Sequence, residues 1–286
     1  MKSLLPLLLF ISFIFCLCNP VCSLSIASEG KYNSLEDVPQ STWDKLAQQR
    51  IFFGHHSVGE NILEGVSGIL AKHPNIKLQI RHAGKSDTTI TQAGLVEDGV
   101  GQNFHPLTKL NAFKEKVEAG YGQTADIAFF KFCFVDFSPE TDIHGLFTEY
   151  KKTMKTLKKE YPNTIFPIVT APLTCYAPGI DGLIKRFKDL IKKIIGKVNI
   201  YDFSSANRFN ELLVREYSGK NPIFDLAKYE STRANGTRVV KEKNGERNYE
   251  LAQEYTTDGG HLNAEGMRLI GEKFLLFLAE QTENRP

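Results

Sequence analysis

The residues best suited to chemistry stand in two short stretches near opposite ends of the chain. Residues 50–63 read RIFFGHHSVGENIL. Strand-forming side chains stop at Gly54, then come His55, His56 and Ser57, and a helical pattern begins at Val58. Residues 256–266 read TTDGGHLNAEG, with Asp258 and His261 three apart across two glycines, just ahead of the last apolar-periodic segment. A serine on a strand-to-helix turn can act as a nucleophile when a histidine takes its proton and an acid orients that histidine. The partial positive charge at the helix N-terminus favours an oxyanion forming beside it. The two glycines let the second stretch fold back, so that the carboxylate reaches one ring nitrogen while the other faces out. Ser57, Asp258 and His261 are therefore the candidate catalytic residues.

Each stretch also has a plainer reading. Ser57 followed by Glu60 is a capping box, S-x-x-E, and on the first stretch alone a simple helix cap is the stronger reading. The second stretch could be a surface turn with an idle histidine and Asn263 capping the final helix. The two together shift the balance toward chemistry. A metal site on His55 and His56 is disfavoured, because adjacent side chains of an extended chain point to opposite faces. No H-x-E, H-E-x-x-H or C-x-x-C spacing accompanies them. A packing role, with one ring bonded to the loops around Ser57, fits better, and no metal or other cofactor is expected.

The elements that must position these residues alternate. Strands are expected at 50–54, 76–82, 126–137, 164–172 and 198–203. Helices are expected at 58–73, 106–120, 142–161, 182–196, 205–219 and 263–281. Residues 83–106, rich in Gly, Asp and Thr, read as a long loop. Strands separated by helices of this length form βαβ units with a parallel sheet, and apolar runs such as 126–137 fit a sheet covered on both faces. The expected fold class is α/β, a three-layer α/β/α sandwich with a mainly parallel sheet of about five strands. Ligands bind such sheets at the carboxyl ends of the strands. Lys131 and Asp136 interrupt the apolar run and read equally as a rim of the site or a structural ion pair.

The chain has 286 residues, 42% of them hydrophobic, and a net charge of +2. That is enough for one large core, and the balanced charge gives no reason to expect a nucleic-acid partner. The lysines of YKKTMKTLKKEYP flank an apolar stripe of Met154, Leu157 and Tyr161 and read as a solvated face. Residues 1–23, one Lys then an apolar run, have the shape of a secretory leader, and the apolar run from Leu4 to Cys18 is short for a membrane span. The mature protein is then secreted or periplasmic, without a stable membrane span after leader removal. A loose lead-in is expected over 24–45 and a single domain over 46–286, with 220–256 as a lid or hairpin insertion. Cys133 and Cys175 remain after the leader and could be a disulfide or buried thiols. Asn235, in N-G-T, fits a glycosylation acceptor in a eukaryotic secretory route.

The blocks FFGHHSVG and DGGHLNAEG resemble those of the SGNH, or GDSL-type, hydrolases, and the element order extends the resemblance over about 48–281. The resemblance implies a three-layer α/β/α esterase or lipase with Ser57 as nucleophile and Asp258 and His261 as its partners. The departures are specific. GHHS stands where the family has Gly-Asp-Ser. The third block reads CFVD, with Val135 in the place of an asparagine that donates to the oxyanion. HAGKSDTT resembles the second block but lacks its usual second glycine. GVGQN, residues 99–103, supplies another solution: the Gly101 N–H and the Asn103 amide are the preferred oxyanion and substrate-binding groups, with Gly84 as the alternative. The expected function is an exported serine hydrolase acting on a small-molecule or carbohydrate ester, with an acetyl-sized acyl group suggested by family analogy alone. The alternative is a related domain that binds a glycan or a partner without turnover.

Overall fold

The computed structural model describes residues 30–84, 87–176, 203–243 and 245–283. Four parallel strands form the main sheet in the order β2-β3-β1-β4. These are β1 (Arg50–His55), β2 (Ile80–His82), β3 (Gly94–Gly99) and β4 (Ile127–Phe130). A second parallel pair, β5 (Ile168–Val169) and β6 (Ile223–Phe224), follows on the β4 side. Ile165 joins the two: its N–H donates to the Asp126 carbonyl at 3.0 Å, and its own carbonyl accepts from Ala128 at 2.9 Å. An antiparallel hairpin of β7 (Val240–Lys243) and β8 (Glu246–Tyr249) lies apart from the sheet.

The side-chain alternation of β1 divides the core in two. Ile51 and Phe53 enter one cluster, with α1 (Gln40–Leu46), α2 (Val58–Leu70) and the last helix, α8 (Ala264–Glu283). Phe52 enters the other, with α3 (Pro106–Lys116), α5 (Ile143–Glu160) and α6 (Phe203–Tyr217). Two short helices are also described, α4 (Gly122–Thr124) and α7 (Leu226–Ser231). Helices thus cover both faces of a mainly parallel sheet, and the expected three-layer α/β/α class holds.

Several local expectations change. The expected loop over 83–106 contains β3, which pairs with β1 from Arg50↔Gly94 to His55↔Gly99. Of 76–82 only Ile80–His82 is paired. The 126–137 run leaves the sheet after Phe130 and closes as a 3-10 turn, Phe134–Asp136. Of the lead-in expected over 24–45, the described residues pack on the core, with Trp43 buried against α8. Within 220–256 lie β6, α7 and the β7–β8 pair. The helix expected at 182–196 and all but the last residue of the strand expected at 198–203 lie outside the described residues; that last residue, Phe203, instead begins α6. Cys133 and Cys175 are buried, and no disulfide joins them. Among the described residues, no helix is long and apolar enough to cross a membrane.

The closest helix packing is between α2 and α8. A Cβ at Gly65 would stand 1.9 Å from the Met267 carbonyl oxygen, and one at Gly271 would stand 2.7 Å from the Gly65 carbonyl carbon. Backbone meets backbone there, so neither position has room for a side chain. Gly65→Val should cost about 3 kcal/mol or more in a urea titration.

Glu230 on α7 is fully buried; one carboxyl oxygen accepts from Leu173 N–H at 2.6 Å, and the other has no partner among the described residues. Burial pushes its pKa from 4.5 to about 8, against smaller opposing effects from that hydrogen bond and from Lys131. Below pH 4.5 the carboxyl is protonated folded or unfolded. Above it the unfolded chain releases the proton while the fold keeps it up to about pH 8, so this group's contribution falls as pH rises through that window. The loss is at most about 4–5 kcal/mol. Glu230→Gln should bring the urea midpoints at pH 5 and pH 8 closer together.

Candidate active site

Four chain segments meet at the carboxyl edge of the sheet. β1 delivers Ser57, β3 delivers the 99–104 loop, β4 delivers the Phe134–Asp136 turn, and the chain beyond β5 receives the 256–263 loop. That last junction is a backbone bond from Cys175 N–H to the Gly259 carbonyl at 2.9 Å.

Ser57 sits at φ 58°, ψ −107°, a backbone conformation that non-glycine residues rarely adopt. Its hydroxyl makes no cap to α2. Instead Oγ lies 2.6 Å from His261 Nε2. The capping-box reading of Ser57 therefore gives way, and α2 begins on backbone bonds such as Glu60 N–H to the Ser57 carbonyl at 2.8 Å.

His261 Nδ1 lies 2.6 Å from Asp258 Oδ2. The carboxylate takes the Nδ1 proton as a hydrogen bond, which leaves Nε2 as an acceptor facing the serine. Asp258 Oδ1 accepts from the N–H groups of Gly260 and His261, both at 2.8 Å. Partial burial alone would raise the Asp258 pKa, but the bonds from the His261 ring and from these two N–H groups outweigh it and hold it at about 2. The fold-back rests on Gly259, at φ 88°, whose N–H donates to Thr256 Oγ1 at 3.0 Å. Asn263 does cap α8, its Oδ1 accepting from Gly266 N–H at 3.0 Å. The cap and the Asp–His pair are compatible parts of one loop.

The two histidines part company. The His56 Nε2–H donates to the carbonyls of Val100 at 3.1 Å and Gly101 at 3.2 Å. Because the peptide unit is planar, holding the Val100 carbonyl also sets the direction of the Gly101 N–H. His55 is buried against Phe53, with ring centroids 4.7 Å apart. Its Nε2 lies 3.1 Å from Glu97 Oε2 at an angle that makes no hydrogen bond. Burial first, then the charge of Lys131, lowers the His55 pKa to about 3.

The strand order separates the two oxyanion options. Gly101 follows β3, the neighbour of β1, whereas Gly84 follows β2, one strand further away. The Gly84 N–H is already spent on Asp87 Oδ2 at 3.0 Å. Asn103 is exposed, and its Oδ1 accepts from Lys109 Nζ at 2.8 Å. Among the described residues no acceptor takes its amide NH2.

No family model matches the chain, and no curated protein does. Among solved structures, the chain is similar to a protein from Streptococcus pneumonia described provisionally as a platelet activating factor. The identity is 15% and the TM-score 0.46, over 84% of this chain and 90% of that one. A protein described provisionally as a GDSL-like lipase from Parabacteroides merdae is 11% identical, with TM-score 0.45, over 82% and 96%. The periplasmic domain of a lipopolysaccharide acetyltransferase from Salmonella ser. Paratyphi A is 13% identical, with TM-score 0.40, over 79% and 82%.

Three contributors to the site escape a reading by motif. Phe134 stacks edge-on against His261, with centroids 5.5 Å apart, and its ring closes on Gly260. Asn61 Oδ1 accepts from Leu262 N–H at 3.2 Å and ties the 256–263 loop to α2. Asn61 lies four residues after Ser57 on one helix face, the only signal that pointed to it. Lys109 reaches the site from α3 and pairs with Asp136, so of the two equal readings of Lys131 and Asp136, site rim or structural ion pair, Asp136 meets the second with a different lysine. Lys131 Nζ instead donates to the Phe132 carbonyl at 3.1 Å, and burial lowers its pKa. Asn61→Ala should cost about 1 kcal/mol by thermal unfolding and speed amide exchange at Leu262.

Proposed function

We propose that the protein is a serine esterase. The observation that carries this reading is the continuous hydrogen-bonded path from Ser57 Oγ through His261 Nε2 and Nδ1 to Asp258 Oδ2, with both links at 2.6 Å. Ser57 Oγ attacks the ester carbonyl carbon as His261 Nε2 takes its proton. The positive charge that results on the ring is stabilised by the Asp258 carboxylate, which also keeps the ring in the required tautomer. The carbonyl oxygen becomes an oxyanion held by the N–H groups of Ser57 and Gly101 and the amide of Asn103. Collapse of this intermediate breaks the bond to the alcohol, which leaves with the proton from His261. Water, deprotonated by the same nitrogen, then releases the acid and restores the serine.

The substrate proposed is a small acyl ester, such as an acetylated carbohydrate, met outside the cytoplasm after removal of a leader over 1–23. The wide exposure of the His261 and Asp258 side chains, 47% and 54%, supports access by an alcohol carried on a large molecule. A second reading, binding of a glycan or partner without turnover, is favoured by Val135 where a donating asparagine would stand.

The test is a fluorophosphonate serine probe and an aryl acetate assay on residues 24–286, beside Ser57→Ala and His261→Ala. Labelling and turnover should disappear in both variants. A folded wild type that is neither labelled nor active would leave the binding reading. Since Asp258 stays ionised down to about pH 2, acid loss of activity above that pH does not come from its protonation. Asp258→Asn should lower kcat by about a thousandfold or more across the profile.

A further inference from the structure

Beneath the loop that carries Gly101 and Asn103 lies an ion pair with no solvent exposure on either side. Lys109 Nζ stands 2.7 Å from Asp136 Oδ2, and both side chains are 0% exposed. Such a pair is a poor way to stabilise a fold, because desolvating two charges costs about as much as their attraction returns. Its remaining hydrogen bonds suggest another use. Lys109 Nζ donates to Asn103 Oδ1 at 2.8 Å. Asp136 Oδ1 accepts from Phe104 N–H at 3.0 Å, and Oδ2 accepts from Cys133 N–H at 2.7 Å. Every bond outside the pair thus goes to the end of the β3 loop or to the β4 exit, the two segments that flank Ser57.

The loop needs such holding. Gly101 and Phe104 both lie in the left-handed region, at φ 60° and 69°. A non-glycine residue there costs about 1–2 kcal/mol. The loop folds back on the first turn of α3, with Gln102 N–H donating to Thr108 Oγ1 at 2.9 Å. An amide has one acceptor oxygen and two donor hydrogens. With the oxygen of Asn103 fixed on a buried ammonium, its NH2 is aimed, and the ammonium strengthens those N–H groups by polarising the carbonyl.

We propose that Lys109 and Asp136 are a positioning pair that holds the Asn103 amide as an oxyanion donor, in place of the asparagine that position 135 lacks. This rests on the esterase reading. The pair itself touches no reacting atom and acts through Asn103.

The test is a double-mutant cycle on kcat, with aryl acetate turnover, fluorophosphonate labelling rate and thermal unfolding measured together. Asn103→Asp keeps an acceptor for Lys109 but has no N–H to give. It should stay folded and lose about 100–1,000-fold in kcat with KM little changed. Lys109→Met should lose a similar factor in the wild type, but less than about threefold more in an Asn103→Ala background, because the two residues act as one unit. Lys109→Arg keeps the charge, moves the donor, and substitutes for Lys109→Met if that variant does not fold; if neither folds, Asn103→Asp alone decides. A folded Asn103→Asp with full turnover overturns the proposal. So does an equal cost of the Lys109 change in both backgrounds, which would mark the pair as merely structural. An unlabelled wild type overturns the esterase reading and this proposal with it. A labelled wild type with indifferent variants overturns this proposal alone.

Discussion

The contact between α2 and α8 is the constraint on which the site depends. Ser57 lies just before the first residue of α2, and His261 lies in the loop just ahead of α8. Two helices that cross at Gly65 and Gly271 with backbones in contact hold their N-terminal ends at one fixed separation. A side chain at either glycine would push the helices apart by the thickness of a methyl group or more. That distance would exceed the tolerance of a hydrogen bond, which weakens steeply beyond about 3.2 Å. The 2.6 Å link between residues 204 positions apart in sequence is thus a product of helix packing.

Around that contact, the parallel sheet does the gathering. Every strand of a parallel sheet ends on the same edge, so loops from distant parts of the chain converge there without any local instruction. The order β2-β3-β1-β4 then decides which loops flank Ser57. The β3 loop lies on one side and the β4 exit on the other, and Lys109 and Asp136 bridge them from below. His56 fastens the same β3 loop from the side of β1. The positive-φ backbone at Ser57, Gly101 and Phe104 is concentrated where these fastenings are densest, as expected for strain held by surrounding structure.

Much of this was legible in the residues. The alternation of strand and helix patterns gave the layered class. The strand-to-helix turn at Ser57 and the Asp-Gly-Gly-His turn were visible because their local chemistry is short-ranged. The strand β3 was not visible. Gly94–Gly99 carries glycine at both ends and Glu97 and Asp98 within, a composition that reads as loop. It becomes a strand because it lies between β1 and β2, and because its acids find partners: Glu97 binds His82 at 2.7 Å and Asp98 binds Lys116 at 2.5 Å. Gly84 stood as an option because HAGKSDTT resembles the second block, and the strand order sets its strand, β2, one place further from β1 than β3.

The sequence by itself determined the local turns, the helix and strand periods, and which residue types could form a nucleophile, a base and its orienting acid. Those depend on near neighbours in the chain. Tertiary structure alone decided that Ser57 bonds to His261 rather than capping α2, and that Asp136 pairs with Lys109 rather than Lys131. It also decided that His56, not His55, holds the β3 loop. In each case a residue had several acceptable partners, and the choice fell to the one that strand order and helix packing brought within hydrogen-bond reach.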